Sequence, residues 1–130
     1  MSNFKLDSQL QNDSIFLKEN SLFQWRLLKN SSNPWILIIP KIEGVKEISD
    51  LDDETLQKLS LEIKSASRVL EKDFSPDKIN IGALGNIVSQ LHIHVIARYK
   101  IDHAWPGPIW GTEAKFVQKK FDIILNKILD

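Results

Sequence analysis

Cysteine is missing altogether, which excludes disulfide scaffolds, thiolate nucleophiles and every Cys-ligated metal centre. Glycine and proline number five each in 130 residues, too few for a collagenous or low-complexity chain. No excess of charge is present either: 17 Lys and Arg balance 17 Asp and Glu. No net field therefore draws the chain to nucleic acid or to an anionic membrane, and neither is expected as a primary partner. Long hydrophobic runs are also lacking. The longest clean one covers residues 35–39, against the ~20 apolar residues that a membrane helix takes. The opening Met1-Ser2-Asn3-Phe4-Lys5-Leu6-Asp7 has none of the basic-then-apolar layout of a signal peptide, so the expected location is cytoplasmic.

What remains is a globular composition, 42% hydrophobic and 26% charged. A chain of this length suits one domain over residues 1–130, hiding roughly two-thirds of its extended surface in a single core. Residues 7–12 read as a short helix. Over 22–29, Phe23, Trp25 and Leu27 alternate with Gln24 and Arg26, the period of a half-buried strand. The turn-forming Asn30-Ser31-Ser32-Asn33-Pro34 links it to a continuously apolar strand over 35–39, and the two make a hairpin. A helix starting at Ser49 carries Leu56, Leu59, Ile63, Ala66 and Leu70 as one stripe and ends at Ser75-Pro76. Strands over 78–81 and 88–99 follow. Val117, Phe121, Ile124 and Ile128 then mark a C-terminal helix. This order predicts an α+β fold with an antiparallel sheet, one long amphipathic helix and a C-terminal helix.

One stretch carries chemistry. In Ser89-Gln90-Leu91-His92-Ile93-His94-Val95-Ile96, strand alternation puts Gln90, His92 and His94 on one face and Leu91, Ile93 and Val95 on the other. The two imidazoles are expected roughly 6 to 7 Å apart along the chain, a gap that admits a tetrahedral phosphoryl group. An imidazole attacking phosphorus forms a phosphoramidate and so divides one difficult displacement into two. Just upstream, Gly82, Gly85 and Asn86 lie where a sharp turn exposes N–H groups that cradle anions. A zinc site on His92 and His94 needs a third ligand. His103, Asp102 and Glu43 are the candidates; no ligand cluster gathers in the sequence, and neither metal nor cofactor is expected. The stiff segment Trp105-Pro106-Gly107-Pro108-Ile109-Trp110-Gly111 either covers a nucleotide site, with Trp105 at its head, or packs on the core. Arg98 shares the parity of His92 but sits about 20 Å along the strand, as an ordinary surface cation.

The run from Gln90 to Ile96 resembles the signature of the histidine triad (HIT) superfamily, His-φ-His-φ-His-φ-φ with φ apolar, Gln90 standing at the first histidine. The apolar strand ending in Pro40, the amphipathic helix, Asn80-x-Gly82 and the late Trp-Pro segment occur in the family's order, over about residues 15–111. It resembles especially a bacterial branch with Ala-Leu-Gly-Asn, Gln-Leu-His-x-His and Ala-Trp-Pro-Gly-Pro elements. The resemblance implies a nucleotide-binding α+β fold, usually a homodimer, acting on nucleoside phosphates. It implies that His92 attacks the α-phosphorus and becomes nucleotidylated, and that His94 contacts the phosphate oxygens. The Gln90 carbonyl would orient His92, while Asn80, Asn86 and the Ile87 and Val88 amides approach the phosphate. Three positions depart from the pattern: Gln90 removes an imidazole, Ile87 replaces a frequent serine, and Trp35 stands where some members carry a further histidine. The expected activity is that of a hydrolase or nucleotidyl transferase on a nucleoside phosphate, phosphoramidate or dinucleoside polyphosphate. A nucleotide-binding module without turnover is the alternative, and a metal-dependent enzyme a third reading.

Overall fold

A computed structural model describes residues 3–112 and 118–129. Helix α1 (Ser8–Asp13) leads into strands β1 (Ser14–Glu19), β2 (Phe23–Leu28) and β3 (Trp35–Pro40). The long helix α2 (Asp53–Phe74), strands β4 (Lys78–Gly82) and β5 (Ile93–Arg98), and helix α3 (Gln118–Leu129) complete the order. The strands form one antiparallel sheet, ordered β1-β2-β3-β5-β4. The α+β class and the hairpin of β2 with β3 match the sequence pattern.

Both faces of the sheet are covered, which is why β3 and β5 are buried at every position. On one face Trp25, Ile36, Ile38, Ile93, Val95 and Ala97 pack against Leu59, Ala66 and Leu70 of α2. Beside them Leu27 meets Phe121 and Ile124 of α3; Val117 lies outside the described residues. On the opposite face Trp35, Leu37, Ile39 and Ile96 pack under Leu10 of α1 and under Ile109. That second, thinner layer builds the site. Arg26 holds the end of α1 in place, donating to the Gln11 carbonyl at 3.3 Å and, just beyond the helix, to the Ser14 hydroxyl at 2.7 Å and the Ser14 carbonyl at 2.9 Å. Among the described residues, no helix is long and apolar enough to cross a membrane.

Three boundaries differ from the sequence pattern. The long helix begins at Asp53, not Ser49, because two aspartates divide the work. The Asp50 carboxylate accepts from the Lys46 and Glu47 amides and closes a separate 3-10 turn over Ile48–Asp50. Asp52 then caps α2 by accepting from the Thr55 amide at 2.8 Å. Strand β1 escaped the reading of periodicity because a bulge between Phe16 and Lys18 breaks its alternation. The last strand starts at Ile93 instead of residue 88, since its pairing stops there: the last pairs are Ile38 with Ile93 on β3 and Gly82 with His94 on β4. His92 thus sits one residue before the ladder, on a loop tied down by the Leu91 amide donating to the Val45 carbonyl at 3.1 Å.

Candidate active site

His92 and His94 do project together. Their ring centroids lie 4.9 Å apart at an interplanar angle of 61°, closer than the strand rise alone predicts because the two rings converge. Both are largely buried, yet both line a cavity of about 370 Å³. Leu84, Gly85, Asn86, Ile87 and Val88 line this cavity together with Gln9, Leu10 and Asp13 of α1, Leu28 and Leu37. Gly85 takes φ +68°, a left-handed conformation that other residues adopt only with strain. The bend therefore needs glycine at that point. A second cavity of about 420 Å³ lies between the Asn33-Pro34 turn, Tyr99 and α3, and neither imidazole lines it.

Hydrogen bonding gives the two rings opposite roles. His92 Nδ1 lies 2.7 Å from the Gln90 carbonyl. A carbonyl only accepts, so Nδ1 carries the proton and Nε2 keeps its lone pair. His94 Nδ1 instead accepts from the Trp35 indole Nε1–H at 2.8 Å. Trp35 pairs with Ile96 across the sheet, which makes His94 its diagonal neighbour, within reach of an aromatic side chain. Trp110 closes the other side, its ring centroid 5.7 Å from that of His94 and 6.2 Å from that of Trp35, both edge-on. Gly82, opposite His94 on β4, makes room for that indole: a Cβ there would sit 3.0 Å from its Cη2.

Of the residues singled out by sequence, the structure brings Gly85, Asn86, Ile87, Val88, His92 and His94 to this cavity. Gln90, Asn80 and Trp105 do not line it, and nor does Gly82, which ends β4 and is not part of the bend. The Gln90 side chain turns to the N-terminal arm: its Oε1 accepts from the Asp7 amide at 2.9 Å and its Nε2 donates to the Lys5 carbonyl at 2.8 Å. Asn80 Oδ1 accepts from Arg98 Nη1 at 2.7 Å. Trp105 lies against the Arg98 guanidinium, 5.7 Å from its ring centroid; the indole that meets His94 belongs to Trp110. Arg98 is no surface cation. It is 2% exposed and pairs with Asp102 at 2.8 Å, and its Nη2 donates to the Gly107 carbonyl at 2.8 Å. Asp102 also accepts from Asn33 and from the amides of Tyr99, Ala104 and Trp105. Hydrogen bonds from Arg98 and these groups hold its carboxyl well below the usual range. The pair straps residues 105–111 onto the sheet. His103 faces Thr112 at 2.7 Å, and among the described residues no three His, Asp or Glu gather as a metal site. Trp110 was missed as a site residue because its rank within the segment follows from the strap, which only the fold reveals.

Burial, and then the neighbouring His92, push the His94 imidazole down from 6.5 to about 3. Between those values the unfolded chain binds a proton that the native one refuses, so stability falls as pH falls through that window. The slope from this one group approaches about 1.4 kcal/mol per pH unit. Urea midpoints between pH 7 and 4 are expected to drop more steeply for the wild type than for His94→Gln; equal slopes would contradict this account of His94.

A five-stranded antiparallel sheet that presents paired imidazoles to a glycine-bend cradle defines the histidine triad fold. The family model for the HIT domain matches residues 9–101, and the chain belongs to that family. Similar solved structures agree. A histidine triad protein from Bradyrhizobium japonicum is 35% identical, with a TM-score of 0.88 over 96% of this chain and 95% of its own. One from Sinorhizobium meliloti is 36% identical, with a TM-score of 0.88 over 98% and 96%. One from Marinobacter aquaeolei is 35% identical, with a TM-score of 0.87 over 96% and 93%. Among curated proteins, a bis(5'-nucleosyl)-tetraphosphatase (asymmetrical) from Schizosaccharomyces pombe is 33% identical over 72 residues, 52% of this chain. The match spans 39% of that relative's length.

Proposed function

We propose that this protein is a nucleotide hydrolase or nucleotidyl transferase in which His92 Nε2 attacks the α-phosphorus of a nucleoside phosphate. The observation that carries the reading is the 2.7 Å contact of His92 Nδ1 with the Gln90 carbonyl, which leaves the other ring nitrogen with a lone pair. In the first step the N–P bond forms and the P–O bond to the leaving group breaks, the leaving oxygen taking the electron pair. The substituted imidazole becomes cationic, and the Gln90 carbonyl stabilises it through Nδ1–H. Water, or another acceptor hydroxyl, then attacks phosphorus, the P–N bond breaks, and the acceptor's proton passes to solvent. Apolar Leu10, Leu28 and Leu37 with Asp13 suit a nucleoside, and the 83–88 bend suits its phosphate. The curated relative's name supports dinucleoside tetraphosphates as the first substrates to try.

A specific observation also favours the second reading, a binding module without turnover. The Gln90 amide is spent on the N-terminal arm, so no side chain at that position supplies a proton. Calorimetry with diadenosine tetraphosphate, followed by chromatography of the recovered ligand, separates the two. The enzyme reading expects conversion to mononucleotide products. Binding with the ligand recovered intact at high protein concentration would sink it in favour of the module.

A further inference from the structure

Trp35 opens β3 on the face that carries the histidines, and both Trp35 and His94 are buried. Their contact joins the indole Nε1–H to His94 Nδ1 at 2.8 Å. An indole nitrogen donates and never accepts. His94 Nδ1 is therefore the acceptor, and the neutral ring carries its hydrogen on Nε2. A second proton on Nδ1 would set two N–H groups against each other across that same distance, with Trp110 packed edge-on beside the ring and little room to turn away.

We propose that Trp35 is a positioning residue that locks His94 as a neutral Nε2–H donor, so that the reaction draws no proton from His94 and favours leaving groups that depart without one, such as phosphate and polyphosphate. The idea rests on the nucleotidyl-histidine reading above and narrows its substrate class. An alkylamine leaving from a phosphoramidate must gain a proton before or as the P–N bond breaks, whereas a phosphate oxygen leaves as the anion. A locked donor can bond to a non-bridging phosphate oxygen as charge builds there, but it has no acidic proton to spare at neutral pH. Few other charged or imidazole groups stand near the ring. The carboxylate of Asp13 from α1 and the His92 ring share the cavity with it. Arg98, four residues on along the same strand face, is matched by Asp102. Burial of the ring acts in the same direction, keeping the neutral form.

The lock is read directly by long-range ¹H–¹⁵N correlation spectra of protein labelled at histidine nitrogen, recorded from pH 8 to pH 5. His94 is expected to hold its hydrogen on Nε2 throughout, with Nδ1 unprotonated. A hydrogen on Nδ1, or titration of the ring inside that range, would overturn the proposal. In Trp35→Phe the ring is expected to mix tautomers and to titrate. Its kcat on diadenosine tetraphosphate falls about tenfold while KM moves less than twofold. The ratio of activity on an adenosine 5'-alkylphosphoramidate to that on the tetraphosphate rises about tenfold at pH 6. An unchanged tautomer and an unchanged ratio in this variant would also overturn it. The wild-type spectra need neither turnover nor the variant's folding. A locked His94 in a protein that turns nothing over defeats the functional reading alone, and a titrating His94 in a working enzyme defeats the lock alone.

Discussion

Replacing His92 with glycine is expected to lower turnover of a dinucleoside polyphosphate by about 10⁴-fold or more, roughly 5.5 kcal/mol of transition-state stabilisation. The reason is that, among the described residues lining the cavity, no other group is placed to take over the covalent step. His94, 4.9 Å away centroid to centroid, has its Nδ1 occupied by the Trp35 N–H and a hydrogen on the nitrogen that would have to attack. Asp13 of α1 lines the same cavity, among the residues that the proposal gives to the nucleoside. Binding should survive, because the apolar wall and the 83–88 bend remain. Steady-state kinetics with calorimetry checks both halves. Adding free imidazole to the glycine variant should restore part of the rate by filling the vacated space with a nucleophile. A variant that keeps more than a tenth of wild-type turnover would remove His92 from the mechanism.

The second large effect concerns stability. Arg98→Met is expected to cost about 3–5 kcal/mol, because it strands a buried carboxylate. Arg98 is satisfied by Asp102, Asn80 and the Gly107 carbonyl together, and Asp102 in turn collects three backbone amides. Removing the guanidinium leaves that side chain, 5% exposed, without its cation. For a chain of this size the loss corresponds to a melting temperature lower by about 10 °C or more. The double variant Arg98→Met with Asp102→Asn should recover part of it, since no unpaired charge stays buried. A cost under about 1 kcal/mol in urea unfolding would return Arg98 to the role of a solvated surface cation. The site should feel the change too. The pair straps the segment that carries Trp110, and with the strap loosened the indole no longer confines His94.

How far the sequence foretold all this depends on whether the signal was local. Phe23, Trp25 and Leu27 alternate on an uninterrupted strand, and the α2 stripe repeats every three or four residues, so both were legible. The paired imidazoles were legible for the same reason: a two-residue spacing puts both on one face. Arg98 was misjudged by a sound parity argument resting on a false premise, that the polar face of β5 is a solvent face. It is covered by α1 and residues 105–111, and such a cover is a tertiary fact. The Trp35–His94 bond needs the register in which Trp35 meets Ile96, information that lives in the pairing of strands 59 residues apart. Gln90 departs from the triad pattern, and its side chain holds the arm that leads into α1. Backbone and side chain of one residue thus orient the His92 ring and hold the arm that leads into α1.

The proposed chemistry requires a bond between phosphorus and one particular ring nitrogen, His92 Nε2. Protein mixed with diadenosine tetraphosphate, quenched in alkali within milliseconds to preserve an acid-labile P–N bond, and mapped by peptide mass should show one adenylate added at His92. Product formation with no such adduct at any quench time, or with the added mass on His94, would contradict it.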